Sequence, residues 1–384
     1  MIMKSRILLA LHLPPPVHGA AMVGKYIQES RLLNELFDCH YLNMATAESL
    51  KDISKFGFKK LFGYLKFLYH LRKAIKAQKP NLLYLTPNSA GNPFYKDFVT
   101  VCLAKHWCLS LNTNERTKIL LHFHNKGCRP FSKKKYNDWL YRHFFNGVDV
   151  LLLSEKLYDD IRKYVVKEKC FFCGNGIPTL LGEVDEQIYD KIRRKTEIAV
   201  SAPFHILFLS NMMAEKGVWI LLEACRLLKQ KGIVFRCTFV GGWKDITEDA
   251  FINYVINHNL QKEVAAVGAK YGEEKEKYWL NADVFVFPTY YHNECFPLVL
   301  LEAMQHALPC ISTNEAAIPD IIDDGQTGFV VSEKDFQVLA ERLIQLTNDR
   351  QMCLDMGIKG YKKYKSCYTL DAFEKNICNI FEQI

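Results

Sequence analysis

Ala282-Asp283-Val284-Phe285-Val286-Phe287-Pro288-Thr289, a polar loop ending at Glu294, and then Cys295-Phe296-Pro297-Leu298-Val299-Leu300-Leu301-Glu302-Ala303-Met304 form the stretch on which the fold turns. The apolar run before Pro288 reads as a buried strand. The run after Pro297 reads as a helix, with the proline suited to a first turn where its missing N–H is not needed. A buried strand that passes through a short loop into a helix belongs to a βαβ unit and implies a parallel sheet. The backbone N–H groups of residues 296–299 then form a helix N-terminus at a strand's carboxyl end, a ready site for an anion such as a diphosphate.

Outward from this stretch the same pattern recurs. Short apolar runs alternate with helical segments at 6–13, 37–43, 81–86, 118–124, 148–154 and 169–174, and again at 205–210, 235–240, 264–268, 284–288, 309–312 and 328–331. Two sets of buried strands predict an α/β protein of two doubly wound domains. A chain of 384 residues is too long for one ordinary core and sufficient for two. Residues 178–203 are charged and lack a strand signal, which places a linker with a short helix there and the junction near 200. The expected division is an N-terminal domain over 1–180, a C-terminal domain over 200–360, and a helical segment over 361–384 that packs back toward the first. Leu370, Phe373, Ile377 and Phe381 recur at helical spacing in that last segment. Ligands of open α/β sheets bind at the carboxyl ends of the strands, so the chemistry is expected in a central cleft between facing halves.

Composition narrows the class. Thirteen cysteines without a repeating frame read as reduced thiols of a cytosolic protein. Cys170-Phe171-Phe172-Cys173 is a lone C-x-x-C in a strand context, favouring core packing over zinc or redox chemistry. The apolar run at 7–13 is cut short by Pro14, Pro15 and Pro16 and reads as a first strand rather than a signal peptide. No run of 18 uncharged apolar residues occurs, so no membrane-spanning helix is expected. The net charge of +8 is locally concentrated: residues 51–79 hold many Lys and Arg, a single acid (Asp52) and six interleaved Phe and Tyr. Such a helix can lie on an anionic membrane surface, or its aromatics can point into the core, and both readings stay open.

Glu302 sits inside an apolar run, where an ionised carboxylate is costly unless polar groups satisfy it. Ribose hydroxyls could do so, as could a neighbouring backbone or a lysine. Glu294 and Glu302, separated by seven residues, resemble the E-x7-E motif of the retaining glycosyltransferases of family 4, which have the GT-B fold. The strand quoted above, Leu308-Pro309-Cys310-Ile311-Ser312-Thr313, and the run from Ile318-Pro319-Asp320 to Gly328-Phe329 resemble consecutive blocks of that family.

The resemblance implies that Glu294 contacts the donor sugar near the reacting carbon and that Glu302 holds the ribose. Phe296, Pro297 and Leu298 would frame the phosphate site, with Cys295 where the family often has Gly. Leu207 to Gly217 resembles the family's strand followed by an Arg and, five residues on, Lys-Gly; Lys216 matches the Lys, and Asn211 stands at the Arg position. Gly241 and the loop Gly268-Ala269-Lys270-Tyr271 resemble loops that enclose the base. Gly19, after Pro14-Pro15-Pro16-Val17-His18, resembles the flexible loop near donor phosphate and acceptor. Asn175-Gly176 resembles the turn that closes the N-terminal domain.

His122 and His124 share a strand face and could bind a metal, although no third ligand is evident. His124 also matches the family histidine that reaches toward the donor sugar. No D-x-D pair of metal-dependent transferases occurs, nor the G-x-G-x-x-G of a dinucleotide enzyme. The catalytic candidates are thus Glu294, His124 and Lys216, with no metal and no resident cofactor.

The activity implied is a retaining, metal-independent hexosyl-type transfer. The donor is a UDP- or GDP-linked sugar, and the acceptor is a glycan or lipid-linked glycan of cell-surface polysaccharide biosynthesis. The site is cytoplasmic, peripheral on the inner membrane face, and no nucleic acid is involved. A nucleotide-sugar epimerase or hydrolase of the same fold, or a weakly active nucleotide-binding relic favoured by Asn211, are the alternatives.

Overall fold

In a computed structural model of the chain, residues 4–15, 19–44, 58–111, 116–179, 188, 190 and 203–384 are described. The chain separates into two compact units: Met1–Gly176 together with Leu370–Ile384, and Ile177–Thr369.

The first unit is a six-stranded parallel sheet of β1 (Arg6–Leu11), β2 (Asp38–Asn43), β3 (Leu82–Leu85), β4 (Lys118–Phe123), β5 (Asp149–Leu152) and β6 (Cys170–Phe172), in the order β2-β1-β3-β4-β5-β6. Leu8 pairs with Leu83, Leu83 with Ile119, and Leu121 with Val150. These central strands are buried along almost their whole length because helices cover both sheet faces, which is why they read as unbroken apolar runs.

The second unit repeats the design with β7 (Phe204–Leu209), β8 (Phe235–Val240), β9 (Val264–Ala266), β10 (Val284–Phe287), β11 (Cys310–Thr313) and β12 (Gly328–Val331), in the order β12-β11-β10-β7-β8-β9. All twelve expected strands are present: β8 and β12 with the expected bounds, β7 and β11 shifted by one residue, and the others trimmed at their ends. Helices start where side chains satisfy first-turn N–H groups: Thr247 accepts from Ala250 N, Asp335 from Val338 N and Asp349 from Met352 N.

Two boundaries differ from expectation. The break falls at Gly176/Ile177 rather than near 200, and most of 178–203 lies outside the described residues. The segment beginning at 361 is also not one element. Residue 361 lies within the helix Arg350–Cys367 of the second unit, and only Leu370–Ile384 belongs to the first. In that last helix Phe373, Ile377 and Phe381 fill one face and enter the core of the first unit, where the Phe381 ring packs edge-on against Phe37 and Tyr84. Each such ring removed from water is worth about 1.5–3 kcal/mol, enough to fix which unit the helix joins. Cys170 and Cys173 are buried free thiols, each pushed up to about 12, mainly by burial.

Candidate functional site

In the second unit the chain runs β7-β8-β9 toward one edge of the sheet, then returns to place β10 on the other side of β7. The strands are parallel, so all their carboxyl ends lie along one edge, and the neighbours β7 and β10 diverge in chain direction there. This is the topological switch point at which open α/β sheets leave room for ligands.

The segment after β7 is a single 3-10 turn, Ala214–Lys216, whose first N–H is received by both carboxylate oxygens of Asp245 at 3.1 and 3.3 Å. Gly217 ends it with φ +88°, and a Cβ there would lie 2.2 Å from the Pro288 carbonyl oxygen, so only glycine lets the turn sit against the end of β10. The Glu215 carbonyl accepts from Tyr290 N at 2.8 Å and from Thr289 Oγ1 at 3.3 Å, which ties this turn to the loop after β10. Glu294 N in turn donates to the Tyr291 carbonyl at 2.8 Å.

These ties bring Lys216 and Glu294 together. Lys216 Nζ donates to Glu294 Oε2 at 2.5 Å, with the two side chains only 14% and 12% exposed. The ammonium also lies 4.4 Å from the centre of the Tyr291 ring and 5.4 Å from that of Phe287. A cation held by a carboxylate and two aromatic faces is a positive group kept from water, for which an entering anion must compete with Glu294.

The helix Leu298–Gln305 begins one residue later than expected. Pro297 is its cap, in extended conformation (ψ 108°), and offers no side-chain acceptor to the first-turn N–H groups. Phe296 is buried against the Tyr368 ring, and Leu298 is part-exposed. The expectation of a carboxylate inside an apolar helix is corrected at Glu302. The helix buries Leu300, Leu301, Ala303 and Met304, while Leu298, Val299 and Glu302 share the outward side, leaving Glu302 27% exposed. Its two oxygens accept from Lys275 Nζ at 3.1 and 3.0 Å. A carboxylate has about four acceptor positions, so ribose hydroxyls could still bind beside the lysine.

A second tie holds Lys275 in register. His306 bonds the Glu302 carbonyl through Nδ1 at 2.6 Å and Glu276 through Nε2 at 2.5 Å, and stacks on Trp279.

Gly241 follows β8, and a Cβ on it would lie 1.7 Å from the Ser210 carbonyl oxygen; it allows the loops after β7 and β8 to touch. Asn211 is exposed at the end of β7. Lys270 lies beyond β9, 3.7 Å from Glu274. Thus Asn211, Lys216, Gly241, Lys270 and Glu294 all lie beyond the carboxyl ends of adjacent strands, with Glu302 one helical turn farther on.

Gly19 and His124 belong to the first unit. Gly19 opens the helix Gly19–Glu29 after β1, where an added Cβ would meet nothing within 4 Å. His124 lies just past β4, its ring 4.1 Å from that of His122. His122 is fully buried and bonded to the Tyr84 hydroxyl. Burial, with the adjacent His124 adding to it, holds the His122 imidazole well below the usual histidine range. Among the described residues, no group of three or more His, Cys, Asp or Glu is placed to hold a metal ion.

Reading the sequence did not find Tyr291, Lys275 or Glu215. It also missed the network in which Asn88 donates to buried Asp97 and accepts from Asn125, fixing the loops after β3 and β4. A polar residue just past each buried strand was the signal available.

Residues 189–363 match the family described as glycosyl transferases group 1. Two similar curated proteins are the amylovoran biosynthesis glycosyltransferase AmsK of Erwinia amylovora and the capsular polysaccharide biosynthesis glycosyltransferase CapM of Staphylococcus aureus. AmsK is 28% identical over 51% of this chain and 48% of its own length, and CapM 26% identical over 59% of each. The match thus spans about half the length of these relatives. The solved structure of Anabaena HepE in complex with UDP superposes with a TM-score of 0.70 at 13% identity, covering 99% of this chain and 100% of that one. That likeness shows the fold, which is GT-B: two Rossmann-like units, each with its parallel sheet. Through residues 189–363, this chain is thus similar to the glycosyl transferases group 1 family.

Proposed function

We propose that the protein is a retaining, metal-independent glycosyltransferase. It would move a sugar from a UDP- or GDP-linked donor to a glycan or lipid-linked glycan in cell-surface polysaccharide biosynthesis. The observation that carries the reading is the enclosed Lys216–Glu294 pair at the β7/β10 switch point, followed directly by the N-terminus of the helix Leu298–Gln305. The donor's anomeric C–O bond breaks, leaving negative charge on the nucleotide diphosphate. Lys216 and the first-turn N–H groups neutralise that charge where it develops, which lowers the barrier. Glu294 faces the sugar, Glu302 accepts from the ribose, and Gly241 and Lys270 border the base. The acceptor oxygen bonds the anomeric carbon, and its proton passes to the departing phosphate oxygen. Gly19 and His124 are the candidates that the sequence resemblance names in the first unit.

The names of AmsK and CapM support the polysaccharide assignment, and HepE, solved with UDP and with UDP-glucose, makes UDP the first nucleotide to test. The same reading puts the protein in the cytoplasm, peripheral on the inner membrane face, with residues 51–79 toward anionic lipid.

The test is the thermal midpoint with millimolar UDP, GDP, CDP or ADP, with and without EDTA, in the wild type and in Glu302→Ala. A ligand at a hundredfold excess over its Kd stabilises by about 2.7 kcal/mol. A shift with one diphosphate that survives EDTA and disappears in Glu302→Ala is expected. A folded protein that responds to none of them overturns the donor site.

A further inference from the structure

The basic, aromatic helix Phe58–Gln78 is one part of a larger surface, residues 51–57 of the same basic stretch lying outside the described residues. In the first unit the helix Phe58–Gln78 lies beside Gly91–Leu109, to which the Tyr64 hydroxyl donates at the Lys96 carbonyl (2.9 Å). That helix lies beside Lys135–Phe145, joined through Tyr95 to Asn137 (3.0 Å) and through Lys105 to the carbonyls of His143 and Phe144 (2.8 and 2.7 Å). The three helices follow β2, β3 and β4 and cross the sheet in one direction, so right-handed crossovers put them on one face. Their inner sides bury Phe67, Leu71, Phe94 and Phe144.

Their outer sides are not those of an ordinary solvated layer. Leu61, Phe62, Leu65 and Tyr69 form an exposed stripe along the first helix, with Phe62 72% and Tyr69 65% exposed, and Tyr136 and Trp139 stand out from the third. Lys66, Arg72, Lys73 and Lys76 are exposed on the first helix, which contains no Asp or Glu. The layer's two acids are both spent. Asp97 is fully buried, and Asp138 is engaged by Lys163, Arg142 and Tyr164, which holds its carboxyl well below the usual range.

We infer that this three-helix layer, and not the first helix alone, is the face by which the protein binds an anionic lipid bilayer. Phe62 and Leu65 would enter the acyl boundary, Tyr69, Tyr136 and Trp139 would lie at headgroup level, and the basic side chains would meet lipid phosphates. Charge complementarity selects this occupant. A second copy of the chain would bring cations against cations, with no free carboxylate on either side to compensate. The inference enlarges the membrane reading above and does not depend on the transferase reading, because lipid binding and nucleotide binding are read separately.

The experiment is co-sedimentation of the full chain with vesicles of phosphatidylcholine alone and with 30% phosphatidylglycerol, at low and high salt. The variants are Phe62→Ser with Leu65→Ser, and Tyr136→Ser with Trp139→Ser. Each exposed cation near an anionic surface contributes about a fivefold factor. Partitioning at least tenfold stronger onto phosphatidylglycerol is therefore expected, reduced at least fivefold by either double variant. Thermal midpoints, and any UDP-induced shift, should stay at wild-type values because these side chains are solvent-exposed. Absence of vesicle binding, binding unchanged by both double variants, or a concentration-dependent dimer abolished by Phe62→Ser with Leu65→Ser would each overturn the inference. Loss confined to the first pair would overturn the three-helix extent.

Discussion

Separating Lys216 from Glu294 gives the most direct view of the site. Their charged atoms are 2.5 Å apart, and each side chain is less than 15% exposed, so little solvent screening applies. Removing one partner of such a pair leaves the other desolvated and uncompensated, at a cost of up to about 3–5 kcal/mol in a full interior. Lys216→Met strands the Glu294 carboxylate and should cost about 3 kcal/mol. Glu294→Gln should cost less, about 1–2 kcal/mol, because Gln can still accept a hydrogen bond and the ammonium keeps the Tyr291 ring at 4.4 Å. The double variant should cost less than the sum, giving a coupling of about 2 kcal/mol.

Urea unfolding followed by tryptophan fluorescence reads this in the right place, since Trp219, Trp243 and Trp279 lie in the second unit. In the same variants, UDP should bind Glu294→Gln at least as tightly as wild type, because the lysine no longer has an internal anion to leave. Lys216→Met should bind UDP at least tenfold more weakly. A coupling below about 0.5 kcal/mol would mean that the pair does not form in solution and would refute the reasoning.

Other outcomes follow from single positions. Replacing Tyr291 by Leu removes the ring beside Lys216 and should weaken UDP binding about threefold to tenfold in titration calorimetry, whereas Tyr291→Phe should stay within about twofold, a split that a purely steric role would not produce. Gly241→Ala places a Cβ 1.7 Å from the Ser210 carbonyl and should cost at least about 2 kcal/mol in urea, with loss of any UDP-induced thermal shift. His122 stays neutral in the folded chain, while the unfolded chain takes up a proton below about pH 6.5, so its contribution is complete above that pH and falls with acidification. Between pH 8 and 5.5 this amounts to about 1.4 kcal/mol, and comparison with His122→Gln, which should lack that part of the slope, checks it by urea midpoints.

The sequence by itself determined the twelve strands and the two-sheet plan, because a parallel strand covered on both faces must be apolar at every position and so shows plainly in the chain. It also determined the Glu294–Glu302 spacing and the loops that follow β7, β8 and β10, since polar residues beyond buried strands lie at the carboxyl edge.

Only the tertiary structure decided which of these residues meet. Lys216 and Glu294 are 78 positions apart and touch because β10 inserts beside β7, a matter of strand order that local pattern does not encode. The same holds for Lys275 at Glu302 and for Tyr291 beneath the ammonium. Periodicity showed the last helix but not its partner: the apolar face of Leu370–Gln383 fits a complementary groove, and only the packed core of Phe37, Tyr84 and Phe381 assigns it to the first unit. In the basic helix Phe58–Gln78, Phe67 points inward and Phe62 outward, a choice made by the sheet and the neighbouring helix against which it packs, since both residues are equally apolar in the chain.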